Sequence, residues 1–165
     1  MDILPDLLSP NLKVVFCGTA AGKTSAKKGA YYAHSRNRFW RILHECRFTE
    51  KELLPEEFRQ LQALSIGLTD LCKLASGNDD QLPIGSLTAE RLVGAIQAHK
   101  PSFLAFTSRT AGRILCGRSA DYGWQERLSE TQIYILPTTS PRWGDRWWNE
   151  KKRHWHDFAL AVQST

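Results

Sequence analysis

Four short apolar runs alternate with helical patterns along the chain, and this order constrains the fold more than any other feature of the sequence. The runs lie at residues 12–17, 65–71, 102–107 and 131–137. Stretches with helical spacing or helix-start residues lie at 36–46, from Pro55, from Thr88, before Cys116 and at 146–162. Strands that alternate with helices favour parallel pairing, because each parallel connection has to cross back over the sheet. We therefore predict an α/β fold, a three-layer α/β/α sandwich around a small, mostly parallel central sheet.

The length and composition fit one soluble domain. The chain has 165 residues, of which 42% are hydrophobic and 24% charged, so residues 1–165 can enclose a single core. No run approaches the roughly 18 apolar residues of a membrane-spanning helix, and the first residues lack the basic and apolar regions of a signal peptide. We therefore expect a cytoplasmic protein.

The four cysteines are scattered along the chain and form no CxxC pair. They are Cys17, Cys46, Cys72 and Cys116. This spacing argues against a zinc or iron–sulfur site built on a local motif. We expect most of them to be reduced, partly buried thiols.

The net charge is +5, and one stretch combines basic with aromatic residues. Residues 142–156 contain five lysines and arginines, two acidic residues and four tryptophans. Basic groups beside aromatic rings suit nucleic acid, because the cations neutralise phosphates and the rings stack on bases. Helical spacing nevertheless assigns most of the aromatic side chains here to a core-facing stripe with Trp148, Trp155, Phe158 and Val162. The charged side chains between them are candidates for a DNA-facing surface.

In a mostly parallel sheet, ligands bind at the loops that follow the carboxyl ends of the strands. These loops comprise residues 18–26, 69–76, 107–110 and 137–143. The first contains GTAAGKT (18–24), which has the outline of a Walker A phosphate loop. A Walker A motif has four residues between its first glycine and Gly-Lys, and only three occur here. The missing residue redirects the backbone N–H donors, so the sequence disfavours an ATP or GTP site.

A longer and more specific pattern surrounds this loop. Its residues are Phe16-Cys17-Gly18, Gly22, Ser25-Ala26, Ala33-His34 and Asn37-Arg38-Phe39-Trp40. Further along, GLTDL (67–71) resembles a second pocket segment, and LPTTSPRW (136–143) resembles a Pro-Ser-rich loop that inserts into DNA. By these motifs nearly the full chain resembles the mismatch-specific uracil/thymine DNA glycosylase family of the uracil-DNA glycosylase superfamily.

The resemblance implies a DNA glycosylase with an α/β/α sandwich fold. Such an enzyme flips a damaged base, most simply uracil, out of the duplex, because a base inside the stack cannot be reached. It then hydrolyses the N-glycosidic bond with a positioned water and needs no metal ion or organic cofactor. The implied partners are DNA containing the lesion base and the abasic-site product, and the implied state is a monomer.

Carried over residue by residue, the resemblance gives a base pocket and a set of DNA contacts. The pocket residues are Gly18, Ala20, Tyr32 and His34, and the DNA-binding residues are Lys23, Ser25, Ser140, Pro141 and Arg142. Tyr32 takes the place of the aromatic residue that stacks on the flipped base, with plain packing as the alternative. Arg142 takes the wedge position, where a long side chain fills the gap left by the base, or it contacts phosphate. His34 lines the pocket or bonds to backbone, and Asn37 is better explained as a helix cap.

The first motif departs from the family at the catalytic position. Ala20 and Ala21 stand where the family has a water-positioning asparagine and a proline. A methyl group cannot orient water, so another polar group has to do so. Asp70 is the best substitute, because a carboxylate can orient water and stabilise a positively charged sugar; capping of a helical turn is its alternative role. Thr69, in the place of a second water-binding hydroxyl, and Thr19 complete the predicted catalytic set.

Two other functions are compatible with this departure. One is a glycosylase that prefers another base, such as hypoxanthine. The other is a protein without catalytic activity that keeps the pocket and binds abasic or damaged DNA. This last function predicts tight binding to a lesion with no base release, even when the protein is in excess.

Overall fold

The computed structural model describes residues 1–165 and contains a five-stranded sheet with helices on both faces. The strands are β1 (Val14–Gly18), β2 (Ile66–Asp70), β3 (Phe103–Phe106), β4 (Gly123–Trp124) and β5 (Gln132–Ile135). The α-helices are α1 (Lys23–Lys28), α2 (Phe39–Glu45), α3 (Glu90–His99), α4 (Arg109–Cys116), α5 (Gly144–Lys151) and α6 (Arg153–Gln163). Three 3₁₀ helices lie at Pro55–Leu64, Asp79–Gln81 and Pro141–Trp143. None of the helices has both the length and the apolar composition that a membrane crossing requires.

The strands follow the order β2-β1-β3-β5-β4 across the sheet. Every neighbouring pair is parallel except β4 and β5, which pair antiparallel. The predicted α/β sandwich with a mostly parallel sheet is confirmed, and the four predicted apolar runs coincide with β1, β2, β3 and β5. The sequence does not reveal β4, because a two-residue strand is too short to show an alternating pattern.

Side chains of β1 alternate between two hydrophobic clusters, one on each face of the sheet. Phe16 belongs to the larger cluster, together with side chains of α2, α6 and the 3₁₀ helix Pro55–Leu64. Cys17 belongs to the smaller cluster, together with side chains of α3 and α4. Successive residues of a strand point to opposite faces. The continuous burial of β1, β2 and β3 is therefore the pattern expected of a sheet that is covered on both sides.

The C-terminal helical pattern forms two helices rather than the single one predicted. At the junction of α5 and α6, the Trp155 N–H donates to the carbonyl of Lys152, three residues back instead of four. This local tightening interrupts the α-helix at Lys152. The predicted core-facing stripe is confirmed, since its residues are buried: Trp148, Trp155, Phe158 and Val162.

Two predicted helix starts differ in detail from the structure. The helix that begins at Pro55 is a 3₁₀ helix rather than an α-helix, although its acidic first turn is as predicted. α3 begins at Glu90 with Ala89 as its N-cap residue, so Thr88 does not cap it. The first N–H groups of α3 consequently donate to no capping side chain.

Candidate active site

The carboxyl ends of β1, β2 and β3 bring three predicted loops together. Gly18 lies directly opposite Asp70 in the register of β1 and β2, and the Thr107 N–H donates to the carbonyl of Cys17 at 2.9 Å. A Cβ atom on Gly18 would lie 2.8 Å from Asp70 Oδ1, 3.3 Å from Tyr32 Oη and 3.4 Å from Thr107 Oγ1. Three polar groups therefore converge on Gly18, and only a residue without a side chain fits between them.

The Asp70 carboxylate is buried without a hydrogen-bond partner from the protein. Only 4% of the residue is exposed, and the side chain does not cap a helical turn. Burial raises the pKa of Asp70 to about 6, partly offset by the positive charge of Lys73. At neutral pH the group is thus a poorly hydrated anion with free lone pairs. Such a carboxylate can accept a proton or a hydrogen bond from a water molecule, and it can stabilise a nearby cation.

Tyr32 forms one wall of this site and has an unusual backbone conformation. Its φ of 51° lies in the left-handed region, which costs an L-residue about 1 kcal/mol and is common at functional sites. Its hydroxyl is 2.9 Å from Thr107 Oγ1. One face of its ring stacks on Phe39, with centroids 3.9 Å apart and planes at 17°. Because Phe39 covers one face of the ring, a flat ligand can stack only on the other.

The loop that follows β1 is held by backbone hydrogen bonds to the loop that follows β2. The carbonyls of Gly18, Thr19 and Ala21 accept from the N–H groups of Leu71, Cys72 and Gly77 at 2.8–2.9 Å. The Thr19 hydroxyl donates to Asp79 Oδ1 at 2.6 Å, so it points to that outer loop. Ala20 contributes only a methyl group. The loop therefore shapes the site while adding no polar side chain beside the Asp70 carboxylate.

Thr69 does not lie beside the Asp70 carboxylate, contrary to the prediction of a second water-binding hydroxyl there. Neighbouring strand residues point to opposite faces, and Thr69 faces the side of the sheet that α3 covers. Its hydroxyl donates to Asp6 Oδ1 at 2.7 Å and accepts from Arg91 at 2.9 Å. Because these two partners engage the hydroxyl, it is not available to hold a water molecule at Asp70.

The residues predicted around the first loop differ in exposure. Lys23 is exposed at the first position of α1. Ser25, predicted to contact DNA, is buried, and its hydroxyl accepts from the Ala33 N–H at 2.9 Å; it holds the turn that leads to Tyr32 instead. The His34 Nδ1 accepts from the Arg36 N–H at 3.1 Å, which is the backbone contact of the second alternative. Its exposed ring borders a cavity that Tyr32 also lines, but Gly18 and Asp70 do not line that cavity.

The predicted wedge loop is a 3₁₀ turn at the same edge of the sheet. Pro141, Arg142 and Trp143 form this turn, and the Ser140 hydroxyl accepts from the Arg142 N–H at 3.3 Å. Arg142 is exposed. Its guanidinium lies 5.4 Å from the centroid of the Trp143 ring, which is itself 56% exposed. A long cationic side chain and an aromatic ring therefore project together from a short turn.

Two residues of the Asn-Arg-Phe-Trp motif fix the base of the wedge loop. Asn37 Oδ1 accepts from the Thr139 hydroxyl at 2.8 Å and from the Phe39 N–H at 2.9 Å. The N-cap residue of α2 is Arg38 rather than the predicted Asn37, which lies one residue earlier and still accepts from the first N–H of the helix. Arg38 donates to the Ser140 carbonyl at 3.2 Å and pairs with Asp145 at 2.6 Å. These contacts hold the start of the loop in place, and only its tip, Arg142 and Trp143, is exposed.

Sequence reasoning missed four residues that the structure places in or behind the site. They are Asp6, Lys73, Arg91 and Thr107. Thr107 could have been found, because it directly follows β3, the strand that pairs with β1. Asp6 carries no such signal, since it belongs to neither a motif nor a periodic segment.

Comparisons with known proteins agree with the fold. The sequence model of the Uracil DNA glycosylase superfamily matches residues 5–161. A solution NMR structure of a "putative Uracil DNA glycosylase" from Methanosarcina acetivorans is similar, with a TM-score of 0.67 and 19% sequence identity. The similarity covers 97% of this chain and 96% of that one. At 19% identity, the structural comparison shows a shared fold alone. The superfamily model matches most of the sequence and therefore shows the family.

Proposed function

Because the chain belongs to the uracil DNA glycosylase superfamily, we propose that it removes uracil from DNA by hydrolysing the N-glycosidic bond of a flipped nucleotide. The observation that carries this proposal is the Asp70 carboxylate, which is buried, has no hydrogen-bond partner from the protein, and lies beside Gly18 with the hydroxyls of Tyr32 and Thr107. The product is an abasic site in DNA, and the protein acts as a monomer in the cytoplasm.

The flipped base is held between Tyr32 and the ends of the strands. It stacks on the ring face of Tyr32 that Phe39 leaves uncovered. Gly18 lets the base approach the backbone closely. Thr107 fixes the Tyr32 hydroxyl, because the Thr107 hydroxyl donates to the Cys17 carbonyl at 3.3 Å and so accepts from Tyr32. A rigid aromatic wall of this kind selects a flat base without requiring a charged contact.

Asp70 then promotes cleavage of the bond between the sugar and the base. As this bond lengthens, its electron pair leaves with the base and the sugar becomes positively charged. The buried carboxylate stabilises that charge, more strongly than it would in water because the local dielectric is low. It also orients a water molecule and accepts its proton as the water oxygen bonds to the sugar carbon. The proton finally passes to the departing base, so one water molecule is consumed.

The rim of the site supplies the contacts to DNA. Lys23, at the first position of α1, and Arg142, in the wedge loop, are both exposed at the carboxyl end of the sheet. There they can meet phosphates on either side of the flipped nucleotide. Ser140 and Pro141 give the wedge loop its shape. The tip of this loop fills the gap in the stack after the base has left it.

The proposal is tested with a panel of labelled oligonucleotides and an excess of protein. The panel contains uracil opposite guanine, uracil opposite adenine, uracil in a single strand, hypoxanthine, xanthine and a T·G mismatch, and alkali cleaves any abasic site formed. Release of uracil at the highest rate supports the proposal. Faster release of hypoxanthine would change the assigned base. Binding to a lesion or to an abasic duplex with no release of any base would contradict catalysis.

Arg142→Ala is expected to lower the rate of uracil release from a fully paired duplex by about tenfold or more. The reason is that unstacking costs a few kcal/mol, which the wedge offsets only when the base has to leave a duplex. Release from a single strand should change much less. Single-turnover rates on both substrates measure the difference.

Arg146→Ala is the matched control for this prediction. Arg146 lies in the same basic stretch and its side chain is 96% exposed, with only a long 3.8 Å pairing to Glu150. The control variant should keep the wild-type ratio of duplex to single-strand rates. Equal losses on both substrates in Arg142→Ala would assign Arg142 to phosphate binding rather than to the wedge.

A further inference from the structure

A network of charged and polar side chains lies immediately behind Asp70 and is not part of the pocket wall. Its centre is the Asp6 carboxylate, which comes from the segment before β1. This carboxylate accepts from the Thr69 hydroxyl at 2.7 Å and pairs with Lys73 at 2.9 Å and Arg91 at 2.7 Å. Three different parts of the chain thus direct their donors to a carboxylate that does not face the base.

Lys73 is the most deeply buried charged side chain of this network, with 3% of it exposed. Besides its pairing with Asp6, the ammonium donates to Tyr31 Oη at 3.1 Å. Tyr31 in turn donates to the Pro5 carbonyl at 2.9 Å. A buried ammonium needs such partners, because an unpaired charge in the interior is costly. Asp6 and Tyr31 therefore hold the lysine in place.

Arg91 links the network to Asp70 through the backbone. Its guanidinium donates to the Thr69 hydroxyl and to the main-chain carbonyl of Asp70. None of these donors reaches the Asp70 carboxylate, although Lys73 and Arg91 are the cations whose charges act on it. Arg91 thus holds the main chain of Asp70, and both carboxylate oxygens of Asp70 stay free of donors from the protein.

We propose that Asp6 is a positioning residue that withholds Lys73 and Arg91 from Asp70, so that Asp70 stays a free base instead of one half of an ion pair. This inference rests on the proposed function in assigning Asp70 to catalysis. A carboxylate paired directly with a lysine would be a weaker base, and its lone pairs would be occupied. Asp6 is the competing acceptor that engages the cations first.

The charges around Asp70 agree with this assignment. Burial is the main cause that raises the pKa of Asp70, the positive charges of Lys73 and Arg91 oppose it, and the negative charge of Asp6 adds to it. The other titratable groups on which the charge of Asp70 acts are Cys17, Tyr31 and Tyr32, and burial raises the pKa of each of them. They are neutral near pH 7, so Asp6, Lys73 and Arg91 are the charges that set its titration.

Two substitutions are expected to move the titration of Asp70 in opposite directions. Asp6→Asn removes a negative charge and releases both cations, so the pKa of Asp70 should fall by roughly one unit. Lys73→Met removes a positive charge at similar volume, so the pKa should rise by a comparable amount. In the pH profile of kcat/KM for uracil release, the low-pH limb should shift to lower pH in Asp6→Asn and to higher pH in Lys73→Met. Asp80→Asn, on the exposed 3₁₀ helix Asp79–Gln81, is the control and should shift neither.

An NMR titration of the carbon-13-labelled Asp70 carboxyl group measures the same pKa and does not depend on base release. It tests the network even if the protein releases no base, which would count against the proposed function alone. If Asp6→Asn does not fold because it leaves the buried Lys73 unpaired, the double variant with Lys73→Met replaces it. The pKa of Asp70 in this double variant should lie below that in Lys73→Met alone, because Arg91 is then released from Asp6. Unchanged titration in the folded variants, or a shift opposite in sign to the one stated, would overturn the inference.

Discussion

Replacement of Asp70 by asparagine is expected to abolish most base release while making the folded protein more stable at neutral pH. An amide has nearly the same shape as the carboxylate, but it can neither accept a proton from water nor stabilise a cationic sugar. Removing a positioned acid–base group typically lowers a rate by about 10²- to 10⁴-fold. Binding to uracil-containing DNA should be retained, because Asp70 makes no structural hydrogen bond that the substitution would break.

The sign of the stability change follows from the pKa of Asp70. Burial raises that pKa from an ordinary value of 3.8 to about 6. The folded state therefore binds more protons than the unfolded state between these two values, and the wild-type protein loses stability as the pH rises through this window. Above it, the ionised carboxylate costs the folded state about 3 kcal/mol at most. Asparagine carries no such cost, so the gain should be present at pH 7 and absent near pH 3.

Thermal unfolding at pH 7, together with single-turnover base release, measures both halves of this prediction. A gain on the order of 1–3 kcal/mol corresponds to several degrees in Tm for a chain of this size. Asp80→Asn is the control, since that carboxylate is exposed and its removal should change neither quantity. Full activity in Asp70→Asn would exclude Asp70 as the catalytic group. A loss of both stability and activity would indicate a structural role instead.

The gain in stability matters because it separates this site from an ordinary buried ion pair. A carboxylate retained for folding would have donors of its own, as Asp6 has from Thr69, Lys73 and Arg91. Although burial alone would raise it, these hydrogen bonds and charges hold the pKa of Asp6 below its usual value. Two aspartates of the same region, the buried Asp70 and the partly exposed Asp6, thus have opposite electrostatic surroundings. Differences of this kind distinguish groups retained for chemistry from groups retained for structure.

The sequence predicted that the loops after β1 and β2 would form the site, but it could not decide which residues of β2 face it. A strand buried on both sides shows no alternation of polar and apolar residues. IGLTD is buried throughout, so Thr69 and Asp70 were equally plausible members of the pocket. Only the register with β1 and the position of α3 separate them: Asp70 lies beside Gly18, and Thr69 bonds to Arg91.

Residues distant in the chain were beyond sequence reasoning for a different reason. Asp6 meets Thr69 and Arg91 only in the folded state, and a single aspartate before the first strand has no local pattern that indicates these partners.

Ser25 is a residue that the sequence assigned to the DNA-binding surface and that the structure places inside the protein. A serine in a glycine-rich loop suggests exposure, yet its hydroxyl satisfies the Ala33 N–H inside the turn. Loop backbone groups need partners when they are buried, and the sequence does not say which side chains provide them.

Gly18→Ala is expected to lower kcat/KM for uracil release by about 100-fold while leaving the fold intact. The backbone of Gly18 does not have positive φ, so alanine fits the end of β1. Its methyl group, however, would lie 2.8 Å from Asp70 Oδ1 and close to the hydroxyls of Tyr32 and Thr107. The carboxylate has to rotate away, and a displacement of about 1 Å in a catalytic group can cost 10²-fold in rate.

Gly22→Ala is the matched control, because it adds the same methyl group four residues further along the same loop. Gly22 has a φ of −67°, and nothing lies within 4 Å of the position that its Cβ would occupy. This variant should release uracil at nearly the wild-type rate. Thermal unfolding shows whether both variants fold, and single-turnover kinetics at saturating protein separate chemistry from binding. Equal rates in the two variants would mean that the space beside Gly18 is not where the reaction takes place, since the substitutions differ only in what the methyl group meets.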